Sequence, residues 1–368
     1  MREIVVVGAG IIGLAFSVAA ARQGFMVEIF DRNPEPRGAL SPSSNVLAIN
    51  PSSKKFLQEE GVWSRLADHH RTPFKDMSVK DGTGSGCIFF SASEMGFTEL
   101  GHIVDQIALR AALIQVAESF DNLKLNWGSQ MNFQKSDVPM LVGADGIYSE
   151  IRDRFRLRTV GYDYQQMATV CIARTEKPHN ACARQWFLGG GPLAMLPLND
   201  AKNVAVVWSS FQSMEEIDDQ VFGAELFQAS EGDLGEIHSV GRRFEFKLRH
   251  QHALKYVAEG VALLGDAAHT IHPLAGQGAN LGFGDARALI TELSIARLEG
   301  RSLGDLNALK RFERDRQRQN RLTAVVMECL HRLFTSKVIW SALFRNEILR
   351  LFQRNNTLKK LDIGFASK

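Results

Sequence analysis

Cysteine is scarce in this chain of 368 residues. Four occur, Cys87, Cys171, Cys182 and Cys329, and no two form a Cys-x-x-Cys pair. That excludes a small disulfide-stapled scaffold and fits a reducing compartment. Long apolar runs are missing too. No stretch approaches the roughly 20 residues needed to span a bilayer, and Ile4–Val7 is too short for a signal-peptide core. A dominant charge is also absent. Lys+Arg 43 against Asp+Glu 41 leave a net charge of +2, so no global field advertises nucleic-acid binding. Internal repeats and low-complexity tracts are not found. What remains is ordinary globular composition, 45% hydrophobic and 23% charged, which rules out a disordered or collagen-like chain. The length predicts two domains, or one large α/β unit with an insert.

The first thirty residues carry the clearest pattern. A β-branched run, Ile4–Val7, suits a buried parallel strand. Gly8-Ala9-Gly10-Ile11-Ile12-Gly13 follows. Residues 14–23 are Ala-rich and helix-forming, with Gly24 as the stop. Residues 25–30 read as a second strand ending at Asp31. Beyond it, 32–45 is a Pro- and Ser-rich loop. Residues 52–60 predict a helix stopped by Gly61, 76–90 a hairpin turning at Asp81-Gly82, and 104–120 a helix. Residues 140–142 are a strand leading into a turn. From about 162 to 250, short apolar runs at 169–173, 185–188, 193–198 and 204–208 predict a mostly antiparallel insert. Residues 261–264 return to a buried strand, and helices dominate from there to the end.

Three glycine- and acid-bearing turns follow these strands. In the first, Gly8 permits a tight turn, Gly10 lets a pyrophosphate approach the backbone, and Gly13 allows close helix–strand packing. The helix N-terminus offers N–H groups and the positive end of its dipole, and Asp31 is placed to accept ribose hydroxyls. Arg32 is read as a solvated loop residue, with a 2′-phosphate as its alternative partner. The second turn is Gly143-Ala144-Asp145-Gly146-Ile147-Tyr148-Ser149, followed by Arg152. The third runs Gly265-Asp266-Ala267-Ala268-His269, then His272-Pro273-Leu274-Ala275-Gly276-Gln277-Gly278-Ala279-Asn280-Leu281-Gly282, with Asp285 beyond. Asp266 can accept from a ribityl hydroxyl, and the Gly276–Gly278 turn opens a helix able to stabilise negative charge on a reduced flavin ring. Helix N-capping is the alternative for each acid.

These three turns, in this order, resemble the FAD-dependent aromatic hydroxylases built like para-hydroxybenzoate hydroxylase. The run from His269 to Gly278 is similar to the signature of the ubiquinone-biosynthesis hydroxylases, as are Gly61-Val62-Trp63, Gly101-His102-Ile103-Val104 and residues 192–197. The resemblance extends to about residue 320. It implies a flavin monooxygenase that hydroxylates the ring of a polyprenylated phenol or quinol through a flavin C4a-hydroperoxide, with O₂ as substrate and NAD(P)H as electron donor. It places FAD on Gly8, Gly10, Gly13, Asp31, Arg110, Asp145, Asp266, Pro273, Gly276, Gln277 and Gly278, with His272, Pro273, Gly276 and Gln277 around the flavin ring. A solvent-facing helix arginine is the alternative for Arg110. One departure stands out. Relatives carry an arginine where this chain has Asn45, which lacks the charge and the reach; a weaker hold on FAD is the expectation.

The expected architecture is α/β with an α+β insert: a doubly wound Rossmann-like FAD domain, an antiparallel-sheet substrate domain and C-terminal helices. The FAD domain draws on residues 1–75, 100–160 and 251–310, the substrate domain on 76–99 and 161–250, and 311–368 is a helical region. Within the insert, Trp186, Phe187, Met195, Leu198 and Trp208 are candidates both for core and for an apolar substrate pocket. His269 and His272, like His250 and His252, lack the further partners a metal site needs, so no metal is expected. The last region holds about 13 basic against 5 acidic residues from Arg311 onward. Its apolar residues at helical spacing fit either a cap over the FAD domain or an amphipathic contact with a membrane surface or a quinone-biosynthesis complex. The expected location is the cytoplasm, with the inner-membrane surface as an added site of contact. A hydroxylase of a soluble aromatic, or a weakly active structural subunit of such a complex, are the other readings. Oligomeric state is not legible.

Overall fold

Ile4, Val5 and Val6 are fully buried because the strand they form, β1 (Ile4–Val7), has a parallel neighbour on each edge. The computed structural model describes residues 2–36, 45–82, 86–129, 138–270 and 277–335, with residues 277 and 322–335 described by backbone alone. Strands and helices are numbered along the chain. The first sheet has the order β16-β17-β9-β1-β2-β8. Its members besides β1 are β2 (Val27–Asp31), β8 (Leu123–Trp127), β9 (Met140–Gly143), β16 (Val257–Ala258) and β17 (Val261–Leu263). All pairs are parallel except β16–β17. Helix α1 (Ile11–Arg22) crosses from β1 to β2. Its Ala-rich surface is buried almost all round, since it packs against both α4 (Gln106–Ala117) and α7 (Gln277–Leu298). This is the doubly wound half.

A small antiparallel sheet, β3-β7-β4, joins the two halves. It comprises β3 (Val46–Ile49), β4 (Arg71–Phe74) and β7 (Gly101–Asp105). Helix α2 (Pro51–Glu59) follows β3; the Asn50 side chain accepts from Ser53 N–H, and Pro51 occupies the first turn, where no intrahelical N–H is needed. The helix expected from residue 104 begins only at Gln106. Val104 and Asp105 are strand residues, and the Asp105 carboxylate stops the strand by capping α4, accepting from Ile107 N at 2.8 Å and Ala108 N at 3.3 Å.

The third sheet has nine strands, ordered β18-β15-β10-β13-β12-β11-β5-β6, with β14 also on β10. The hairpin is β5 (Asp76–Asp81) and β6 (Cys87–Ser91), followed by the one-turn helix α3 (Ala92–Met95). The long strand β10 (Thr159–Thr175) comes after the short helix α5 (Glu150–Arg154). Then follow β11 (Cys182–Leu188), β12 (Gly191–Pro197), β13 (Asn203–Ser210), α6 (Asp219–Ala229), β14 (Ile237–Val240), β15 (Phe244–Ala253) and β18 (His269–Thr270). Pairing is antiparallel except between β11 and β5, which run parallel.

Side-chain alternation gives this sheet two distinct faces. Trp186, Leu193, Met195, Val204, Val206 and Trp208 pack with Phe222 and Leu226 of α6. Ala183, Phe187, Leu196 and Leu198 pack on the other side, against Val46, Ala48 and Ile103 of the joining sheet. Helix α8 (Leu306–Thr335) closes the order and packs on α7 and β16. Among the described residues, no helix is long and apolar enough to cross a membrane. The loop residues 37–44 and the tail 336–368 lie outside the described residues.

Candidate active site

The three turns converge because their strands are neighbours. Val7 of β1 pairs with Gly143 of β9, which pairs with Leu263 of β17, so their carboxyl ends open on one side of the sheet. Ligands of open α/β sheets bind at such strand ends. Ala144 N donates to Val7 O at 2.8 Å and Leu264 N to Gly143 O at 2.9 Å, holding the turns side by side. Gly8 has φ +101°, and a Cβ there would overlap the Ala144 carbonyl. A Cβ on Gly13 would overlap the Gly8 carbonyl. Both are glycines for packing reasons. Gly10 differs: a Cβ there would meet nothing within 4 Å, so its smallness leaves room in front of the α1 N-terminus. Gly278, in the first turn of α7, is equally open.

Asp31 ends β2 and braces the first turn. One carboxylate oxygen accepts from Ala9 N at 2.8 Å; the other accepts from Asn33 N at 2.8 Å and Asn33 Nδ2 at 3.0 Å. Arg110 reaches the same place from α4. Its Nε donates to Ala9 O at 2.9 Å, its Nη2 stands 3.7 Å from Asp31, and its guanidinium lies over the Trp127 ring. It is turned onto the glycine turn, not outward. Arg32 faces the exposed Glu150 at 3.7 Å. Asn45 precedes β3, and its carbonyl accepts from Gln106 N.

Asp145 and Asp266 differ in how much of each carboxylate is used. Asp145 Oδ2 accepts from Ile151 N at 3.2 Å, while its Oδ1 is buried with no partner among the described residues. The cap of α5 is Ser149, which accepts from Arg152 N. Asp266 is exposed at its surface, yet the protein atoms packed around its carboxyl strip it of solvent and raise it above the usual range; His269 opposes that rise and Asp285 adds to it. Asp145 thus satisfies one first-turn N–H of α5 beside the Ser149 cap, whereas Asp266 caps no helix among the described residues. Gln277 and Gly278 open α7, whereas His272, Pro273 and Gly276 lie outside the described residues.

Two residues quoted with the second and third motifs, but given no role by the sequence, hold the turns in place. Arg152, almost fully buried, donates from Nη1 to Ala267 O at 3.3 Å. Asn280 of α7 donates to Ala48 O at 2.8 Å and accepts from Asn50 N at 3.1 Å, tying the third motif to β3. Only its place in that motif hinted at this.

Facing β3 is one side of the nine-stranded sheet. An in-register row crosses it: Phe244, Val170, Val207, Ala194, Gln185 and Val79. It is apolar except for one amide. Of the five pocket candidates, Phe187 and Leu198 share this side, whereas Trp186, Met195 and Trp208 belong to the α6 core. Burial pushes the Cys171 thiol up to about 12, leaving it a packing residue.

Residues 132–327 match the FAD binding domain family and residues 6–48 the NAD(P)-binding Rossmann-like domain family. The chain is 30% identical to ubiquinone hydroxylase UbiL of Rhodospirillum rubrum, over 100% of this chain and 89% of that one. It is 29% identical to 3-demethoxyubiquinol 3-hydroxylase of Escherichia coli K12, over 99% and 98%. Among solved structures, p-nitrophenol 4-monooxygenase PnpA from Pseudomonas putida DLL-E4 superposes with a TM-score of 0.78 at 16% identity, covering 100% of this chain and 98% of that one; this likeness shows the fold. With the FAD family matching more than half of the chain, and with relatives aligned over almost its whole length, this chain is an FAD-dependent aromatic monooxygenase and belongs to the ubiquinone-biosynthesis hydroxylase family.

Proposed function

We propose that this chain hydroxylates the ring of a polyprenylated phenol or quinol intermediate of ubiquinone synthesis. The observation that carries the reading is the apolar row from Phe244 to Val79, broken only by Gln185, on the side of the sheet whose Val79, Phe187 and Leu196 pack with Val46 and Ala48 of β3. A charged or strongly polar substrate would leave its groups unpaired against such a face, whereas an isoprenoid-bearing ring would bury apolar surface there.

FAD fits the turns. Gly10 leaves space that a Cβ would fill, and Asp145 keeps a buried oxygen without a partner among the described residues. In this reading Gly8, Gly10 and Gly13 admit the pyrophosphate to the α1 N-terminus and Asp31 accepts a ribose hydroxyl. Arg110 fixes the turn from the side. Asp145 and Asp266 take hydroxyls further along the cofactor, and Gln277 and Gly278, with His272, Pro273 and Gly276, surround its ring. When bound and reduced by NAD(P)H, FAD supplies the activation of O₂. The chain's own residues bind and orient the ring through Val207, Ala194 and Leu196, and this apolar wall keeps water away. The FAD domain is then 1–75, 100–160 and 251–310, and the substrate domain 76–99 and 161–250. Contact with a membrane surface is assigned to the helical region from 311, where α8 exposes Arg314 and Arg318 one turn apart.

The test is an FAD titration followed by turnover of a short-chain prenylated phenol with NAD(P)H. Saturable binding lost in Gly10→Glu, with ring oxygenation of the prenylated phenol, is the expected result. Turnover of small phenols alone would move the substrate to a soluble aromatic. No FAD binding at large excess would implicate Asn45 and favour the structural-subunit reading.

A further inference from the structure

Asp285 has no accessible surface, yet it carries a carboxylate that the reading above does not use. Its Oδ2 accepts from Gly265 N at 3.1 Å and from His269 Nε2 at 2.6 Å. Its Oδ1 accepts from Arg316 Nε at 2.8 Å and Asn320 Nδ2 at 3.2 Å. Four donors satisfy both oxygens. They come from the third turn, from β18 and from α8, so one side chain on α7 ties together three other elements. The far side of the cluster is also closed: Arg316 Nη2 donates to Leu281 O at 3.2 Å and to Asn320 Oδ1 at 3.0 Å, and Asn320 Nδ2 reaches Tyr256 Oη at 3.3 Å. Burial alone would raise the carboxyl pKa, but His269 and Arg316 outweigh it and hold the group far below the usual range. A carboxylate fixed in its anionic form is a poor proton carrier, which argues against a relay and for a fixed brace.

We infer that Asp285 is a positioning residue that sets the Gly265-Asp266 turn from behind, with Arg316 seating it through α8. The inference rests on the reading that Asp266 contacts FAD. Removing the acceptor for Gly265 N frees the turn that carries Asp266, so the loss should be felt through Asp266 and not independently of it.

The test measures FAD dissociation constants by flavin fluorescence, and apoprotein unfolding midpoints, for wild type, Asp285→Asn, Asp266→Asn and the double variant. Each single substitution is expected to weaken FAD binding about tenfold, the scale of one charge-assisted hydrogen bond. The double variant should be no weaker than the worse single, because coupled sites are not additive. Leu289→Ala, a core truncation one turn along α7, should lower the unfolding midpoint and leave FAD affinity within about twofold. Should Asp285→Asn not fold, Arg316→Met and Arg316→Lys replace it in the cycle, with the lysine recovering part of the lost affinity. Multiplicative losses in the double variant, or an equal affinity loss in Leu289→Ala, would overturn the inference while leaving the FAD site intact. Wild-type affinity in Asp266→Asn would overturn it too, with Gly10→Glu still reporting on the site. Failure of the wild type to bind FAD would remove the site reading and this inference together.

Discussion

Gly10 and Gly13 stand three residues apart and carry opposite liabilities. A methyl group on Gly13 collides with the Gly8 carbonyl, whereas one on Gly10 meets open space. Gly13→Ala is therefore expected to destabilise the apoprotein by about 1–3 kcal/mol, the usual cost of overpacking. Gly10→Ala should leave apoprotein unfolding unchanged and weaken FAD binding. Thermal unfolding without cofactor, set beside an FAD titration, separates the two; unaltered FAD affinity in Gly10→Ala would mean that no phosphate approaches that turn. Two histidines make a second residue-level prediction. Burial lowers His102 from 6.5 to about 4, Glu99 opposing and Lys54 and Arg71 assisting. Burial likewise lowers His252 to about 4, with His269, Arg321 and His250 adding to the fall and Asp285 opposing. The unfolded chain then binds more protons than the native one between about pH 6.5 and 4, so stability drops as pH falls through that window and is unaffected above it. Denaturant unfolding at pH 7 and pH 5 should show the decrease, and His252→Gln should remove its own share while that of His102 remains. A wild type equally stable at both values would contradict this account.

At the scale of elements, strand alternation decides which aromatic residues are core and which face the site. The apolar runs of the insert locate β10–β13, because β-branched and aromatic residues suit a pleated, half-buried surface. They also show that Trp186 and Phe187 point oppositely. What a run cannot reveal is which face α6 will cover, since that depends on residues 219–229 returning across the sheet. That is why the five pocket candidates divided, with Trp186, Met195 and Trp208 going to the core. The same limit explains the start of α4: Asp105 is a good cap, but its strand role depends on β3 and β4 flanking β7. Trp208→Ala is thus expected to cost about 3–5 kcal/mol of stability, as buried Trp truncations do, while KM for a prenylated phenol changes little in the folded fraction. Val207→Trp, one residue earlier and on the half-buried opposite face, should do the reverse, raising KM at nearly unchanged stability. Steady-state kinetics beside urea unfolding checks both; a Val207→Trp enzyme with wild-type KM would move the ring away from this face.

For the molecule as a whole, the three turns were legible because each sits at the end of an apolar run, and parallel strand order then brings such ends together. The brace around Asp285 was not. Arg316 and Asn320 stand in a sequence that reads as a solvated basic helix, and nothing local distinguishes them from Arg314 or Arg318. Yet Arg316 and Asn320 are buried while Lys310, Arg314 and Arg318 are exposed. The exposed three recur every four residues, so they form one stripe along α8. Beside the stripe, Gln317 Nε2 donates to Leu254 O, and the Leu254 and Val160 side chains are 41% and 51% exposed. The net charge of +2 therefore conceals a cationic face with apolar side chains next to it, a combination suited to an anionic bilayer surface. Each basic residue near such a surface contributes about 1 kcal/mol, so reversing three should reduce partitioning by at least about a hundredfold. Cosedimentation with vesicles of phosphatidylcholine and phosphatidylglycerol is expected at low ionic strength. It should weaken as salt shortens the screening length toward about 8 Å, and vanish in the triple variant Lys310→Glu, Arg314→Glu, Arg318→Glu. FAD affinity should be unchanged in that variant, because among the described residues none of the three bonds to the strand-end turns. Binding that ignores both the phosphatidylglycerol fraction and the triple variant would assign α8 no part in membrane contact and leave its stripe a solvated helix face.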